Sequence, residues 1–148
     1  MAINYYGIQE ALFNLIKDGT YTNAPEKVFI EAMERETSFD NMPLVNIRLV
    51  DGTIEIRSLP NGYFFELNFE IDVVSFNLNH FKEAATLRDT LMKEIQDLVI
   101  SNPRFHADLL TAHIMPNIQF SAGTPEGAGG HIAAGTLSVT AEAYVDAT

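Results

Sequence analysis

The chain has 148 residues, which fits one domain spanning residues 1–148 with a substantial core. Its 20 acidic side chains against 9 basic ones give a formal net charge of −11, which argues against tight binding to nucleic acid or to anionic membranes. The sequence has no cysteine, which excludes disulfides and thiolate chemistry, and no run of about 18 apolar residues that would predict a membrane span.

An amphipathic helix is the first predicted element. Its apolar residues follow the spacing of one helical face, and they are Ile8, Ala11, Leu12, Leu15 and Ile16. Lys17 in the last turn and Gly19 after it indicate where this helix ends. The next segment, 28–33, is ambiguous, because its alternating apolar residues suit a strand and the charged residues 34–36 suit a helix equally well.

Two short strands are predicted next, at 44–49 and 54–57, because apolar residues alternate along both. Asp51-Gly52 lies between them and is a preferred pair for a two-residue hairpin turn. We therefore expect the chain to reverse at Asp51-Gly52, and to reverse again at Pro60-Asn61-Gly62.

The segment 63–76 is the strongest strand signal in the chain. One face is apolar throughout, with Tyr63, Phe65, Leu67, Phe69, Ile71 and Val73. The other face carries Glu66, Asn68, Glu70 and Asp72, so a slip of one residue would bury four polar groups. Such a strand reaches about 46 Å, whereas a compact domain of this size is about 38 Å across. We therefore expect it to bend or to project beyond its own core, and projection favours contact with a neighbouring subunit.

A second helix is predicted from Phe81 to Val99, with Asn79 as its N-cap and Ser101-Asn102-Pro103 after its end. The segment 114–120 is then predicted as a strand. Because Pro116 has no amide donor, this strand should lie at a sheet edge or carry a bulge. The last strand is predicted at 136–145, where apolar and polar residues alternate.

A loop rich in glycine and alanine is predicted at 121–135, before the last strand. It is long for a compact domain, so we expect a contact arm that becomes ordered on assembly. Taken together, the elements predict a single α+β domain. Its mostly antiparallel or mixed sheet has four to five strands, two main helices pack on it, and the Gly-rich hairpin loop is long.

No catalytic, cofactor-binding or metal-binding residues are predicted, and no cofactor is expected. The four histidines have neither the i,i+4 spacing of a helical metal site nor an HExxH pattern. The Gly-rich loop lacks the Lys-Ser/Thr pair that phosphate binding needs, since Gly130 is followed by His131-Ile132. Nothing resembles a nucleophile elbow. The acidic face of strand 63–76 is interpreted either as a solvated surface or as an acidic surface with a function.

Several short sequence segments follow one another in a characteristic order. They are Met42–Ile47 entering a strand, Glu70–Phe76 at the end of the long strand, Ala84-Ala85 and Leu87–Asp89 in the second helix, Ser101–Pro103 after it, and Leu137–Tyr144 in the last strand. In order and spacing, the chain resembles the tail terminator (tail completion) proteins of tailed bacteriophages over most of its length.

The resemblance implies a structural virion protein that is not an enzyme. Such proteins form a ring, usually sixfold, that ends tail-tube polymerisation and offers the joining surface to the head and neck. The implied partners are further copies of the chain, the tail tube protein, a head-completion (neck) protein and, in a contractile tail, the sheath. DNA passes through the lumen without specific binding, and no membrane is involved. The implied location is the tail or neck of the virion, assembled in the host cytoplasm.

Two groups of residues are candidates for this role. Glu66, Glu70 and Asp72 are expected to face the lumen, where their charge would repel passing DNA. The candidate interface loop consists of Gly123, Pro125, Gly127, Gly129, Gly130 and His131. Two other interpretations stay open: another neck or tail component, such as a head-tail adaptor or a tube protein, and a small enzyme or ligand-binding α+β domain. The last of these requires a pocket with convergent polar groups.

Overall fold

A computed structural model describes residues 4–32, 42–57, 62–124 and 129–146. The elements in chain order are α1 (Tyr5–Lys17), β1 (Lys27–Ile30), β2 (Leu44–Arg57), β3 (Gly62–Asn77), α2 (Phe81–Ser101), β4 (Leu109–Ile114), β5 (Gln119–Gly123) and β6 (His131–Asp146). Two helices are thus combined with strands in one α+β fold, as the sequence predicts.

The strands form one mixed six-stranded sheet with the order β1-β2-β3-β6-β4, and β5 also pairs with β6. β1 runs parallel to β2, while every other pair is antiparallel. The sheet has more strands than the four to five expected. The ambiguous segment supplies β1, and the segment around Pro116 supplies two strands in place of one.

Both helices cover the same face of the sheet. The core combines Ile8, Leu12 and Ile16 of α1, Leu91, Ile95 and Val99 of α2, and Val45, Ile47, Phe69, Ile71, Leu137 and Val139 of the central strands. In β3 the predicted alternation holds from Leu67 to Val73, where every second side chain is buried. Burial on one face alone therefore fixes the register of the sheet, and neither of the two described helices lies on the opposite face.

The long strands extend past the helix-covered core. β3 pairs with β6 along its whole length, from Gly62 opposite Asp146 to Asn77 opposite His131. We call residues 50–57 of β2, 62–66 of β3 and 142–146 of β6 the sheet tip. Along β2, exposure rises from 0% at Ile47 to 60% at Ile54. Of the two expected outcomes for an overlong strand, projection beyond the core is the one observed.

The hairpin predicted at Asp51-Gly52 is wrong. β2 continues through both residues and pairs with β3 on each side of them, with a shift of register between Leu49 and Asp51. A β-bulge absorbs one extra residue in this way and keeps the ladder intact. The local turn preference is outweighed because one long β2 makes ladder contacts with β3 from Gly62 to Val74. The second turn was predicted at Pro60-Asn61-Gly62. Gly62 is the first residue of β3, while Pro60 and Asn61 lie outside the described residues.

The strand predicted at 114–120 is wrong over most of its length, because residues 115–118 form the connection between β4 and β5. These two strands pair in tandem with the same edge of β6. Four residues, 115–118, lie between β4 and β5, whereas only two residues of β6 lie opposite them. The Met115 N–H still donates to the Ser138 carbonyl, at 2.8 Å. Pro116 therefore lies in an irregular connection beside the edge of β6, and not inside a strand that sits at an edge or carries a bulge.

The predicted N-cap of the second helix is also wrong. His80 occupies the N-cap position, without a side-chain cap bond. The carboxamide of Asn77 instead accepts hydrogen bonds from the N–H groups of Asn79 and His80, at 2.9 and 2.8 Å. A turn closed by Asn77 at the end of β3 therefore leads into α2.

Candidate functional site

The sheet face that lies opposite the helices is the first candidate surface, because its side chains are polar and pair with one another. Glu66, Glu70 and Asp72 all lie on this open face, in the phase of β3 opposite to the buried residues. The sequence-predicted acidic residues are therefore brought together on one surface. They differ, however, in their surroundings.

Glu70 and Asp72 are both paired with Arg48 of the neighbouring strand β2. The Arg48 Nε donates to Asp72 at 2.6 Å, and its terminal nitrogen reaches both Asp72, at 3.0 Å, and Glu70. The hydrogen bond to Asp72 is the main cause that raises the pKa of Arg48 above its ordinary range, and the charges of Asp72 and Glu70 add to it. Arg48 thus offsets part of the negative charge on this face.

Hydrogen bonds tie the rest of the open face together across strands. Thr136 of β6 donates to Asp72 at 2.8 Å. Thr140 donates to Asn68 at 2.8 Å, and the Asn68 carboxamide donates to Asp51 at 2.6 Å. These bonds link β2, β3 and β6, so the polar face is largely satisfied within the chain.

Glu66 differs from the other two acids because it lies in the sheet tip and is exposed. It faces Thr53 on β2 and Glu142 on β6 in the strand register. Like charges directly opposite each other destabilise an antiparallel pair. Glu66, Glu142 and the exposed Glu55 line one shallow depression of about 230 Å³. The acidic surface is therefore concentrated at the tip.

The charged residues Arg48 and Glu142 of this face are absent from the sequence prediction, as are Asp51 and Glu55. A signal for Arg48 was present, since it shares the polar phase of its strand with Asn46. Its pairing with Glu70 and Asp72 depends on β2 lying beside β3, which the wrongly predicted hairpin obscured. The position of Glu142 opposite Glu66 could be inferred only from the pairing of β6 with the other side of β3.

The Gly-rich loop is shorter than predicted. Gly123 is the last residue of β5 and His131 the first residue of β6, so the connection comprises residues 124–130. Gly129 and Gly130 have φ angles of 68° and 89°, a left-handed conformation that favours glycine. A side chain at Gly130 would also collide with the ring of Phe76. Pro125 and Gly127 lie outside the described residues.

Exposed apolar side chains form a second candidate surface, on β2 at the sheet tip and along β4 and β5 on the far side of the sheet. On β2, Val50 and Ile54 are 47% and 60% exposed. They line a groove of about 370 Å³ at the sheet tip, together with Tyr5 of α1 and Phe65 of β3. At the opposite edge, Leu110, Met115, Ile118 and Phe120 are also exposed. Patches of this kind mark interfaces with other proteins.

Other cavities offer little for chemistry. One of them, of about 810 Å³, is an open depression between the ends of the two helices, lined by residues such as Leu15, Asp18, Leu98 and Phe105. Across the described ranges, no group of three or more His, Asp or Glu side chains is arranged to hold a metal ion. His106 lies 3.7 Å from Asp108 at the surface. None of the helices described here is long and apolar enough to cross a membrane.

One solved structure is similar to the chain over nearly its whole length. A chain of the structure described as "Virion of native gene transfer agent (GTA) particle" superposes with a TM-score of 0.56 and 14% sequence identity. The two chains share a fold. The match covers 97% of this chain and 100% of the other. No protein-family model matches the sequence, and no curated protein matches it.

Proposed function

We propose that this chain is a structural virion protein of the tail terminator type, without enzymatic activity. It forms a ring, sixfold as in the proteins that its sequence resembles, on the last ring of a tail tube. The ring ends tube polymerisation and offers the joining surface to the head or neck. The observation that carries this proposal is the whole-length fold similarity to a chain of a virion particle. The proposed location of the protein is the tail or neck of a virion that is assembled in the host cytoplasm.

The partners follow from the same role. Further copies of the chain complete the ring, a tail tube protein lies below it and a head-completion protein lies above it. In a contractile tail the sheath also touches it. The exposed apolar side chains on β2 at the sheet tip and along β4 and β5 support a subunit with neighbours, since clusters of such residues mark contact surfaces.

The charge of the open face supports passage of DNA without specific binding. With a net charge of −11 per copy, a closed ring repels a polyanion in its lumen. Because Arg48 pairs with Glu70 and Asp72, we assign the main repulsion to Glu66 and its neighbour Glu142 at the sheet tip. Their carboxylates line the lumen in this proposal.

Electron microscopy of the purified protein, alone and mixed with tube subunits, tests the role. We expect single closed rings that sit on the ends of tubes and limit their growth. Filaments formed by the protein alone would instead indicate a tube protein. Imaging of whole particles, with this chain labelled, should place it between the tube and the head. A label that is absent from particles would contradict the proposal.

A further inference from the structure

The side of the molecule formed by β4 and β5 carries no formal charge. Residues 109–125 contain no Asp, Glu, Lys or Arg, in a chain of which 20% is charged. Several large side chains along these strands are exposed, and we call them the β4–β5 surface: Leu110, His113, Met115, Ile118 and Phe120. Interfaces between proteins are depleted of charged residues at their centre and enriched in aromatic residues and methionine. The composition of the β4–β5 surface is therefore that of a contact surface.

A second uncharged and exposed surface lies at the start of α1. Residues 4–9 contain no Asp, Glu, Lys or Arg. Within them, Tyr5 and Tyr6 are 40% and 58% exposed, and we call these two residues the tyrosine pair. Tyr5 makes an edge-to-face contact with Phe65, at 6.1 Å between the ring centroids. Tyrosine combines a large apolar ring with a hydroxyl that can form hydrogen bonds, which suits the tyrosine pair to an interface.

The tyrosine pair and the β4–β5 surface lie on opposite sides of the subunit and at one level of the sheet. α1 packs against β1 and β2, whereas β4 is at the other end of the strand order. Tyr5 packs beside Phe65, which lies opposite Ala143 of β6. Ala143 in turn lies opposite Leu109, the residue before Leu110. Each copy can therefore contact one neighbour through the tyrosine pair and another through the β4–β5 surface.

We propose that the tyrosine pair of one copy packs on the β4–β5 surface of the next copy, centred on Leu110. This assignment rests on the proposed ring function, for which it names the subunit contact. The two surfaces differ from each other, so the contact is heterologous: it generates a ring when its rotation closes and an open fibre when it does not. Because the two surfaces share one level, each copy sits beside the previous one with little rise, as a ring requires.

Charge favours a second copy as the occupant of the β4–β5 surface. Two copies with a net charge of −11 each repel one another, and a contact between two uncharged surfaces keeps their acidic groups outside the interface. A basic partner would gain no attraction from the β4–β5 surface, because complementary charge directs it to the acidic residues elsewhere. Leu110 and Met115 offer apolar and thioether groups to the tyrosine rings, and the exposed imidazole of His113 can form a hydrogen bond with a tyrosine hydroxyl.

Charge substitutions at Tyr6 and Leu110 test the contact. Tyr6→Lys or Leu110→Glu alone places a charge in the interface and should raise the protein concentration needed for half-assembly by about tenfold, as the loss of an interface anchor does. Native mass spectrometry over a concentration series measures this change. The double variant should restore assembly, because the introduced ammonium group of one copy then meets the introduced carboxylate of the next. The two positions lie on opposite sides of one subunit, so a rescue reports a contact between copies.

Ile100 of α2, at 57% exposure, supplies the matched controls. Ile100→Lys and Ile100→Glu introduce the same charges away from both surfaces and should leave assembly unchanged. Ile100→Glu should also fail to rescue Tyr6→Lys. All of these variants should keep the thermal unfolding midpoint of the natural subunit, since the altered side chains are exposed.

The possible outcomes separate the contact from the ring function. Rings that survive both single substitutions, or that the double variant fails to restore, would reject this contact and leave the ring function standing. Open fibres that the single substitutions abolish and the double variant restores would keep the contact and reject the ring. A natural chain that neither assembles nor binds to the ends of tubes would reject both.

Discussion

Ile47 and Ile54 lie on the same strand and on its helix-facing side, yet they have opposite environments. Ile47 is opposite Ile71 and fully buried under the helices, while Ile54 is opposite Phe65 and 60% exposed at the sheet tip. Both belong to the same alternating pattern. The comparison teaches that the chain continues a core-type pattern into a region that its own helices cover only in part, where Tyr5 of α1 packs beside Phe65.

We call the helix-covered part of the sheet, together with the two helices, the body. The body and the sheet tip therefore have different sources of stabilisation. In the body, apolar burial within one copy supplies the driving force, at about 25 cal/mol per Å² of apolar surface removed from water. In the tip, the sheet is held by pairing among β2, β3 and β6, and much of its apolar surface still meets water. Substitutions in the body should lower the stability of the subunit, whereas substitutions in the tip should act on assembly.

The largest effect is expected for Phe69→Ala in the body. Phe69 is fully buried among residues of both helices and the central strands. Loss of its ring should lower the free energy of unfolding by about 3–5 kcal/mol, because a cavity remains where packing was tight. Urea denaturation of the subunit measures this change.

Ile54→Ala is the counterpart in the tip. Because Ile54 is mostly exposed, its truncation should change the free energy of unfolding by no more than about 0.5 kcal/mol. A loss similar to that of Phe69→Ala would remove the distinction between body and tip. It would mean that the tip is already part of the core of an isolated subunit.

The next largest effect concerns pH and again belongs to the body. Burial, with a contribution from the charge of Glu94, raises the pKa of Tyr21 from its ordinary value of 10.0 to about 12, and its hydroxyl donates to the Ile16 carbonyl. Between these two pKa values the folded state holds a proton that the unfolded state has lost. The contribution of Tyr21 to the free energy of unfolding is therefore fully present below pH 10, and it is lost as the pH rises towards 12.

Tyr21→Phe should remove this alkaline loss, which we expect to be about 1 kcal/mol after allowance for solvent screening of a partly exposed ring. The measurement is the thermal unfolding midpoint between pH 8 and 11.5. Tyr6→Phe, on an exposed ring of α1, serves as the control and should leave the alkaline slope unchanged. An identical slope for Tyr21→Phe and the natural chain would show that the raised pKa of Tyr21 does not cause the alkaline loss of stability.

Features that depend on a long alternating pattern could be predicted from the sequence, whereas features that depend on strand pairing could not. Strand β3 and the phase of its acidic face were predictable because alternation over many residues outweighs local preferences. The Asp51-Gly52 hairpin was wrong because a turn pair indicates only that a turn is possible, and long-range pairing decides whether one forms. Val50 occupies the resulting bulge, where no local signal distinguishes it from a strand residue.

Partners on other strands were the least predictable part of the candidate site. The pairing of Arg48 with Glu70 and Asp72 joins residues that are more than 20 positions apart in the chain. The opposition of Glu66 and Glu142 depends on β6 lying next to β3. Single-strand periodicity tells which face a side chain occupies, but the neighbour on that face depends on strand order.

A smaller effect is expected for Arg48→Gln on the open face of the body. The ion pairs of Arg48 are partly exposed, with 39% of its side chain open to solvent. We expect a loss of about 0.5 kcal/mol in the free energy of unfolding at low salt, and less at 1 M salt, because screening weakens such pairs. Urea titrations at both salt concentrations measure it. A loss of several kcal/mol that salt does not change would mean that packing of the Arg48 side chain, and not its charge, holds the open face.

The smallest effect is expected at the acidic tip, and it concerns assembled rings and DNA. If Glu66 faces the lumen, Glu66→Lys in every copy should raise the affinity of the ring for a short DNA duplex by a few-fold at low salt, since each added cation neutralises a phosphate. Glu10→Lys makes the same charge reversal on the exposed side of α1, away from the open face. Fluorescence anisotropy at several salt concentrations gives both affinities and their salt slopes. If the two variants bind DNA equally, net charge alone explains the change, and the open face does not line the passage. A steeper slope for Glu66→Lys alone would tie the tip, which the chain leaves uncovered by its own helices, to the route that the DNA takes.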